Sequence, residues 1–239
     1  MIFAGIDGCK AGWLLITYQS GIYNWHIVPH IDELPQYTGK IARACIDMPI
    51  GLASEKFPRT IEKRLRAELG NRSSTVFSVP VRAAVYEPDR YRAKQINSAL
   101  TGKSISEQSL NIKAKILEVD QFVHKKPDSL VLIESHPELC FKYLKGSILQ
   151  SKKSEKEGIE ERLELIASFD TDCASVFKTI LQSTLRKHVK PDDITDALVL
   201  CLANHLGGQK NFNLLRDLNT EDELKTPIQI GYYNPQNFQ

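Results

Sequence analysis

Residues 1–28 read MIFAGIDGCKAGWLLITYQSGIYNWHIV, and this stretch decides the fold. Three apolar segments within it, residues 2–6, 13–18 and 23–28, are rich in β-branched and aromatic side chains and are separated by short turns that contain glycine. Segments of this composition predict β-strands, and turns this short join neighbouring strands that run in opposite directions. The sequence therefore predicts an opening meander of three antiparallel strands.

Two later segments extend the predicted sheet. Residues 41–46 predict a fourth strand, which follows a polar stretch at residues 31–39 that can hold a short helix. Residues 130–133 are wholly apolar, which is typical of a strand inside a sheet whose two faces are both covered. We therefore expect an α/β fold with a five-stranded mixed sheet in the order 3-2-1-4-5.

Helical patterns dominate the segment between the fourth and fifth strands. Residues 59–69 carry charges four positions apart, Asp89 can cap a helix, and residues 106–124 show apolar side chains at helical spacing. We interpret about residues 55–127 as a helical insertion within a single domain that spans residues 1–239.

The C-terminal part of the chain is also predicted to be mostly helical. Three helices are predicted within residues 137–186, and a last helix starts after Pro191 and runs to about Leu206. The charged segment 150–158 between the first two of these helices predicts an exposed connection. The tail beyond the last helix shows no regular pattern, except that residues 228–233 can form a strand.

Composition and charge narrow the classes of function. Hydrophobic residues make up 42% of the chain and charged residues 25%, as in ordinary globular proteins, so wholesale disorder is not expected. The net charge of +2 argues against binding of nucleic acid by bulk charge, although it does not exclude a local basic patch. The five cysteines include no CxxC pair, so the sequence indicates neither a zinc ribbon nor a redox motif, and we expect reduced thiols.

No segment of the sequence indicates export or membrane insertion. The first residues lack a basic region ahead of an apolar stretch, as a secretory signal would have. The longest apolar runs, such as residues 197–203, are much shorter than the roughly 20 residues of a membrane span. We therefore expect a cytoplasmic protein without a membrane partner.

Carboxylates follow three of the predicted strands. Asp7, Asp47 and Glu134 each come directly after one of the apolar segments. In open α/β sheets, ligands bind beyond the strand ends, near the point where the strand order reverses. The first and fourth strands flank that point in the predicted sheet. We therefore expect Asp7 and Asp47 to face each other.

The last predicted helix adds further acids. Asp192, Asp193 and Asp196 lie on its first turns, and Asp193 and Asp196 share a face. Carboxylates that converge repel one another unless a cation or a proton joins them. Carboxylate oxygens suit Mg²⁺ or Mn²⁺. The candidate metal ligands are therefore Asp7, Asp47, Asp193 and Asp196, and Glu134 joins them as a candidate catalytic residue.

Each of these acids also has an ordinary structural explanation. Asp192 is most simply a helix N-cap or a first-turn acid that the helix dipole stabilises. Asp7 before glycine and Asp47 before Met-Pro are typical of turns. The functional hypothesis therefore depends on the agreement of three strand ends rather than on any single acid.

Basic residues supply candidate phosphate contacts. Arg72 and Arg82 lie in a predicted loop, and guanidinium groups bind phosphate through two parallel hydrogen bonds. His136 can contact a phosphate, ligate a metal or bond to the backbone. Because no second histidine lies at a ligand spacing, the structural role has at least equal weight. The chain contains neither a GxxxxGK[ST] phosphate loop nor a GxSxG nucleophile motif.

Five segments, in this order along the chain, resemble a known family. They are GIDGCKAGW at residues 5–13, IDMPIGL at 46–52, LGNRSSTVFSVPVRAA at 69–84, ESHPELCF at 134–141 and DDITDAL at 192–198. They are similar to the predicted ribonuclease H-like nucleases, domain-of-unknown-function family 429. The resemblance implies site acids Asp7, Asp47, Glu134, Asp193 and Asp196. It marks as further site positions Lys10, Trp13, Arg72, Ser73, Arg82, His136 and Glu138.

The resemblance also implies a function. The wider superfamily cleaves phosphodiesters with two metal ions or, in its actin-like branch, binds ATP. We therefore expect a metal-dependent nuclease or phosphodiesterase that uses Mg²⁺ or Mn²⁺ on nucleic acid or a nucleotide. The substrate would be bound by Lys10, Arg72, Ser73, Arg82 and His136. Two alternatives are a Mg-nucleotide-binding or phosphotransfer domain of the actin-like branch and a non-catalytic binding protein.

Overall fold

The central sheet has five strands: β1 (Phe3–Cys9), β2 (Gly12–Gln19), β3 (Ile22–Val28), β4 (Arg43–Ile46) and β5 (Leu132–Glu134). They pair in the order β3-β2-β1-β4-β5, which confirms the predicted order. β1, β2 and β3 form an antiparallel meander, whereas β4 and β5 run parallel to β1. The short turns after β1 and β2 impose antiparallel pairing, because parallel neighbours need a longer crossover.

The structure is a computed structural model that describes residues 1–38, 43–125, 130–208 and 211–238. The chain divides into two compact units. The sheet unit comprises Met1–Asp47, Pro127–Leu214 and Gly231–Gln239, and the helical unit comprises Met48–Lys126 and Leu215–Ile230. The predicted helical insertion corresponds largely to the first segment of the helical unit. The description of the whole chain as one ribonuclease H-like domain stays a prediction.

The described helices are, in chain order, α1 (Leu34–Thr38), α2 (Ile61–Leu69), α3 (Arg82–Tyr86), α4 (Arg90–Thr101), α5 (Glu107–Asn111), α6 (Lys113–Lys125), α7 (Pro137–Lys145), α8 (Lys156–Phe169), α9 (Asp172–Ser183) and α10 (Pro191–Gly207). Asp89 caps α4 as predicted, since its Oδ1 accepts a hydrogen bond from the Arg92 amide at 2.8 Å. Among the described residues, no helix combines the length and the apolar character that a membrane crossing requires.

Several predicted boundaries differ from the structure. Asp7 lies inside β1, opposite Leu14 of β2, rather than beyond the strand. Likewise Glu134 is the last residue of β5. The helix predicted over residues 106–124 is two helices, α5 and α6, with a break at Ile112. Residues 41–42 of the predicted fourth strand lie outside the described residues.

One strand was not predicted. β6 (Phe212–Glu221) pairs with β7 (Pro227–Tyr233) in a separate two-stranded sheet, and β7 confirms the strand predicted at residues 228–233. In β6 Asp217 is buried, whereas Leu218 is 81% exposed. The sequence pattern hides the strand because an acid points inward where an apolar residue is expected.

α10 packs directly on β1 in the sheet unit. A Cβ atom on Gly5 would lie 2.2 Å from the carbonyl oxygen of Ala197 and 2.3 Å from the amide nitrogen of Cys201. The backbones of helix and strand therefore touch, which a side chain at this position would prevent. Asn204, one turn further along, donates hydrogen bonds to the carbonyl oxygens of Ala4 and Arg43 at 2.9 and 3.0 Å.

Gly5→Ala is expected to lower the free energy of unfolding by more than about 3 kcal/mol, because the methyl group meets backbone atoms that cannot rotate away. The matched control is Gly21→Ala, where an added Cβ meets no atom within 4 Å but φ is +85°. The control reports only the cost of that backbone conformation, about 1 kcal/mol. Urea unfolding of both variants measures the difference, and equal losses would contradict the close contact.

Candidate metal centre

Four carboxylates of the sheet unit come together at one end of the sheet, one from a strand, one from the position after a strand and two from a helix. Asp7 lies in β1, Asp47 directly follows β4, and Asp193 and Asp196 lie in the first two turns of α10. The Asp47 amide donates to the carbonyl oxygen of Ile6 at 3.0 Å, so Asp47 continues the parallel pairing beside Asp7. We call these four residues the acid cluster.

Burial and mutual repulsion dominate the electrostatics of the acid cluster. Burial, followed by the charges of Asp47 and Asp196, holds the pKa of Asp7 well above its ordinary value. Burial likewise raises the pKa of Asp47 to about 7, the pKa of Asp193 to about 6, and that of Asp196 above its usual range. Such shifts are what carboxylates show when they share a site, and a cation among them would reverse these shifts.

Asp196 is the most deeply placed of the four acids, with 1% of its surface exposed. Its Oδ2 accepts a hydrogen bond from the Lys153 ammonium at 2.6 Å. Its Oδ1 is buried and has no hydrogen-bond partner among the residues that the structure describes. Because buried oxygens are nearly always paired, this atom points to a ligand from outside the described residues.

Asp192 and Asp193, both in the first turn of α10, have different roles. The N-cap is Lys190, and Pro191 occupies the first helical position. Asp193 Oδ2 accepts a hydrogen bond from the Lys190 amide at 2.8 Å, so this acid both belongs to the cluster and completes the first turn. Asp192 is a first-turn acid, one of the two roles predicted for it, and is not the N-cap.

Two glutamates lie next to the acid cluster. Glu134 pairs in register with Ile46, the residue before Asp47, and is buried. Its charge is one of those that raise the pKa of Asp47. Glu138, on α7, is also buried, and its Oε1 accepts a hydrogen bond from Arg162 at 2.6 Å. Glu134 therefore adjoins the cluster, while Glu138 is already neutralised by a buried guanidinium.

Lys10 and His136, two predicted substrate contacts, also belong to the sheet unit. Lys10 lies in the turn after β1, where its amide donates to the His188 carbonyl oxygen at 3.1 Å and its side chain is exposed. His136 is the N-cap residue of α7. Trp13, which the resemblance also marks, is fully buried in β2 and belongs to the core. The roles of Lys10 and His136 in substrate binding stay predictions.

Arg72, Ser73 and Arg82 belong to the helical unit, so the phosphate-binding role predicted for them is not tested by the geometry of the acid cluster. Arg72 and Ser73 lie in a 3₁₀ turn over Gly70–Thr75. Arg82, at the start of α3, donates to Asp120 through Nε at 3.2 Å and through Nη2 at 2.9 Å.

Asp120, His124 and Asp222 form a second acidic group, within the helical unit, which the sequence did not reveal. One ligand atom from each lies within 4.8 Å of the others, a spacing that could hold a cation. The Arg82 guanidinium already occupies this position, however, since its Nη2 lies 2.6 Å from Asp222 Oδ2. Burial alone would raise the pKa of Asp222, but hydrogen bonds from the Thr226 amide and from Arg82 outweigh burial and lower it. We interpret the group as a buried ion-pair network.

Arg82→Met is expected to lower the free energy of unfolding by about 3 kcal/mol or more, because it leaves two buried carboxylates without a counter-charge. The matched control is Arg90→Met, which breaks an exposed pair with Glu107 and should cost less than about 1 kcal/mol. Chemical unfolding of both variants measures the two losses. Similar small losses would show that Arg82 is not a structural residue.

The stability of the metal-free protein is expected to fall as the pH rises. In the folded state the pKa of Asp47 is about 7 and that of Asp193 about 6, against an ordinary value of 3.8, so the folded protein keeps protons that the unfolded chain releases. This contribution is complete below the ordinary pKa and is lost as the pH rises through the folded values. Melting temperatures in chelator from about pH 5 to about pH 8 should therefore decrease.

Asp47→Asn should flatten this decrease, whereas Glu157→Gln, at an exposed position of α8, should leave the slope unchanged. A wild-type melting temperature that rises over the same range would contradict the raised carboxyl pKa values.

Comparisons with known proteins identify a family but not an activity. The model of the family described as protein of unknown function (DUF429) matches residues 5–215. No match was found among curated proteins or among solved structures. The matched range contains every residue of the acid cluster as well as Glu134. Because the match extends over well more than half of the sequence, the chain belongs to the DUF429 family.

Proposed function

We propose that this protein is a metal-dependent phosphodiesterase of ribonuclease H-like type that acts on nucleic acid or on a nucleotide. The observation that carries the proposal is the acid cluster together with one of its buried oxygens, Asp196 Oδ1, which has no hydrogen-bond partner among the described residues. The five-stranded sheet supports it, because the cluster lies where β1 and β4 run side by side and the strand order reverses.

The donors of the acid cluster fit a hard divalent cation. All four residues offer carboxylate oxygens, which Mg²⁺ and Mn²⁺ prefer. Cys140 is the nearby thiol whose pKa responds to the charges of Asp47 and Asp196. Burial first, and then these charges, raise the pKa of Cys140 to about 12, so the thiol stays protonated and neutral. A soft cation would have to displace the proton of this thiol, whereas the carboxylate oxygens suit a hard cation.

The acids would have two tasks in phosphodiester hydrolysis, which are to hold the cations and to orient the attacking water. Asp7 would help to hold the cations together with Asp47, Asp193 and Asp196, whose charges all act on it. Glu134, beside Asp47, would orient the attacking water. The cations would supply the positive charge that acidifies this water and stabilises the phosphate oxygens. Lys10, Arg72, Ser73 and His136 are the proposed contacts to the substrate.

Arg82 is also a proposed phosphate contact, but its guanidinium group is already paired with carboxylates. Its Nε and Nη2 are bound to Asp120 and Asp222, which leaves Nη1 as the nitrogen without a hydrogen-bond partner among the described residues. Bidentate binding of a phosphate would therefore require Arg82 to break its hydrogen bonds with at least one of these carboxylates.

Calorimetry with Mn²⁺ tests the metal centre. The wild type should bind Mn²⁺ and melt at a higher temperature in its presence. Asp7→Asn should weaken binding by more than about tenfold, because an amide oxygen lacks the charge of a carboxylate. The control Glu157→Gln removes an exposed carboxylate of α8 and should bind Mn²⁺ as the wild type does. Equal binding by a folded Asp7→Asn variant would remove the metal centre from these residues.

Hydrolysis of a simple phosphodiester, single-stranded DNA and RNA in Mn²⁺ tests the activity. The wild type should cleave at least one of these substrates. Asp7→Asn and Asp196→Asn should lose more than about a hundredfold of the rate, since each removes a cation ligand. Binding of Mn²⁺ without cleavage of any of the three would favour a metal-binding protein that is not a phosphodiesterase.

A further inference from the structure

A basic side chain of the sheet unit, Lys153, reaches into the acid cluster. Its ammonium lies 2.6 Å from Asp196 Oδ2, although 37% of the lysine side chain is exposed. The charge of Lys153 also acts on Asp7 and Asp47, in both cases against the rise of their pKa. The chain itself therefore already supplies positive charge to the acid cluster.

Buried contacts fix the segment that carries Lys153. Arg162 of α8 is fully buried, and its Nη1 donates to Ser151 Oγ at 3.1 Å and to the Gly158 carbonyl oxygen at 3.0 Å. A Cβ on Gly158 would lie 1.9 Å from the Lys152 carbonyl oxygen, so the segment lies directly on the first turn of α8. The ammonium thus reaches Asp196 from an anchored backbone rather than from a free surface loop.

The position of this ammonium conflicts with a cation at the same oxygen. Mg²⁺ sits about 2.1 Å from a carboxylate oxygen that it ligates, and like charges this close repel strongly in a partly buried site. A cation on Asp196 Oδ2 would take the place of the ammonium, and a cation on the unpaired Oδ1 of the same carboxylate would still be repelled by the ammonium across the carboxyl group. Because Lys153 is partly exposed, it has a path from Asp196 to water.

We propose that Lys153 is a tethered counter-ion of the acid cluster, which holds Asp196 in the metal-free protein and must leave it when a divalent cation binds. The proposal rests on the proposed metal centre and adds a residue that sets its cation affinity. Displacement of an ammonium by a monovalent cation gains no charge, whereas a divalent cation gains one. Lys153 therefore also makes the site selective for divalent over monovalent cations.

Calorimetry with Mn²⁺ on two substitutions of Lys153 tests the competition. Lys153→Met should bind Mn²⁺ at least about tenfold more tightly than the wild type, and Lys153→Arg should not, because it keeps the charge. The metal-free Lys153→Met protein should melt at a lower temperature and gain more on addition of Mn²⁺. The control is Lys152→Met, whose side chain is 72% exposed and pairs with Glu155; it should bind as the wild type does.

Lysine acetylation of the wild type, followed by mass spectrometry, tests the displacement without any substitution. Lys153 should be protected in chelator and react faster in Mg²⁺, while Lys152 should react at the same rate in both. Unchanged protection of Lys153 in saturating Mg²⁺ would overturn the proposal even if Lys153→Met failed to fold.

The outcomes separate this proposal from the proposed function. If the wild type binds Mn²⁺ and a folded Lys153→Met binds it no more tightly, the counter-ion role is wrong and the metal centre stands. If Lys153→Met binds Mn²⁺ and the wild type does not, the lysine blocks the site completely and the counter-ion role is supported. If neither binds, the metal centre is wrong and the counter-ion proposal falls with it.

Discussion

The backbone contact between α10 and β1 is the constraint on which the rest of the sheet unit depends. At Gly5 the helix approaches the strand so closely that no side chain fits between them. Asn204 then ties the helix to two strands through hydrogen bonds to Ala4 and Arg43. With α10 fixed in this way, its first turns bring Asp193 and Asp196 to the end of the sheet that carries Asp7.

The acid cluster costs the folded protein stability. Four carboxylates lie where burial and repulsion both raise their pKa, and the partners that offset this cost are few. Lys153 neutralises Asp196, and Arg162 neutralises the neighbouring Glu138. Carboxylates with strongly raised pKa values cluster at functional sites, which is why the acid cluster, rather than the Asp120–Asp222 network that Arg82 neutralises, is the better candidate centre.

The sequence predicted the sheet and its acids because both depend on local patterns. Apolar segments, short turns and the acids that follow them lie within a few residues of one another. Lys153 was missed because its segment is charged and predicts an exposed connection. The contact of Ser151 with the buried Arg162 of α8, which holds this segment, is not visible in the local pattern. The partners of Arg82 are 38 and 140 positions away, a separation that no local pattern reveals. β6 was missed for the opposite reason, since its inward residue is an acid.

The hydrogen bond from the Lys190 amide to Asp193 couples the beginning of a helix to the state of the acid cluster. Any ligand that draws the Asp193 carboxylate towards itself competes with that amide for the same oxygens. Two residues earlier, the His188 carbonyl oxygen accepts from the Lys10 amide in the turn after β1. The Asp193 carboxylate and the main chain of residues 188–190 thus connect the first turn of α10 to the turn that holds Lys10.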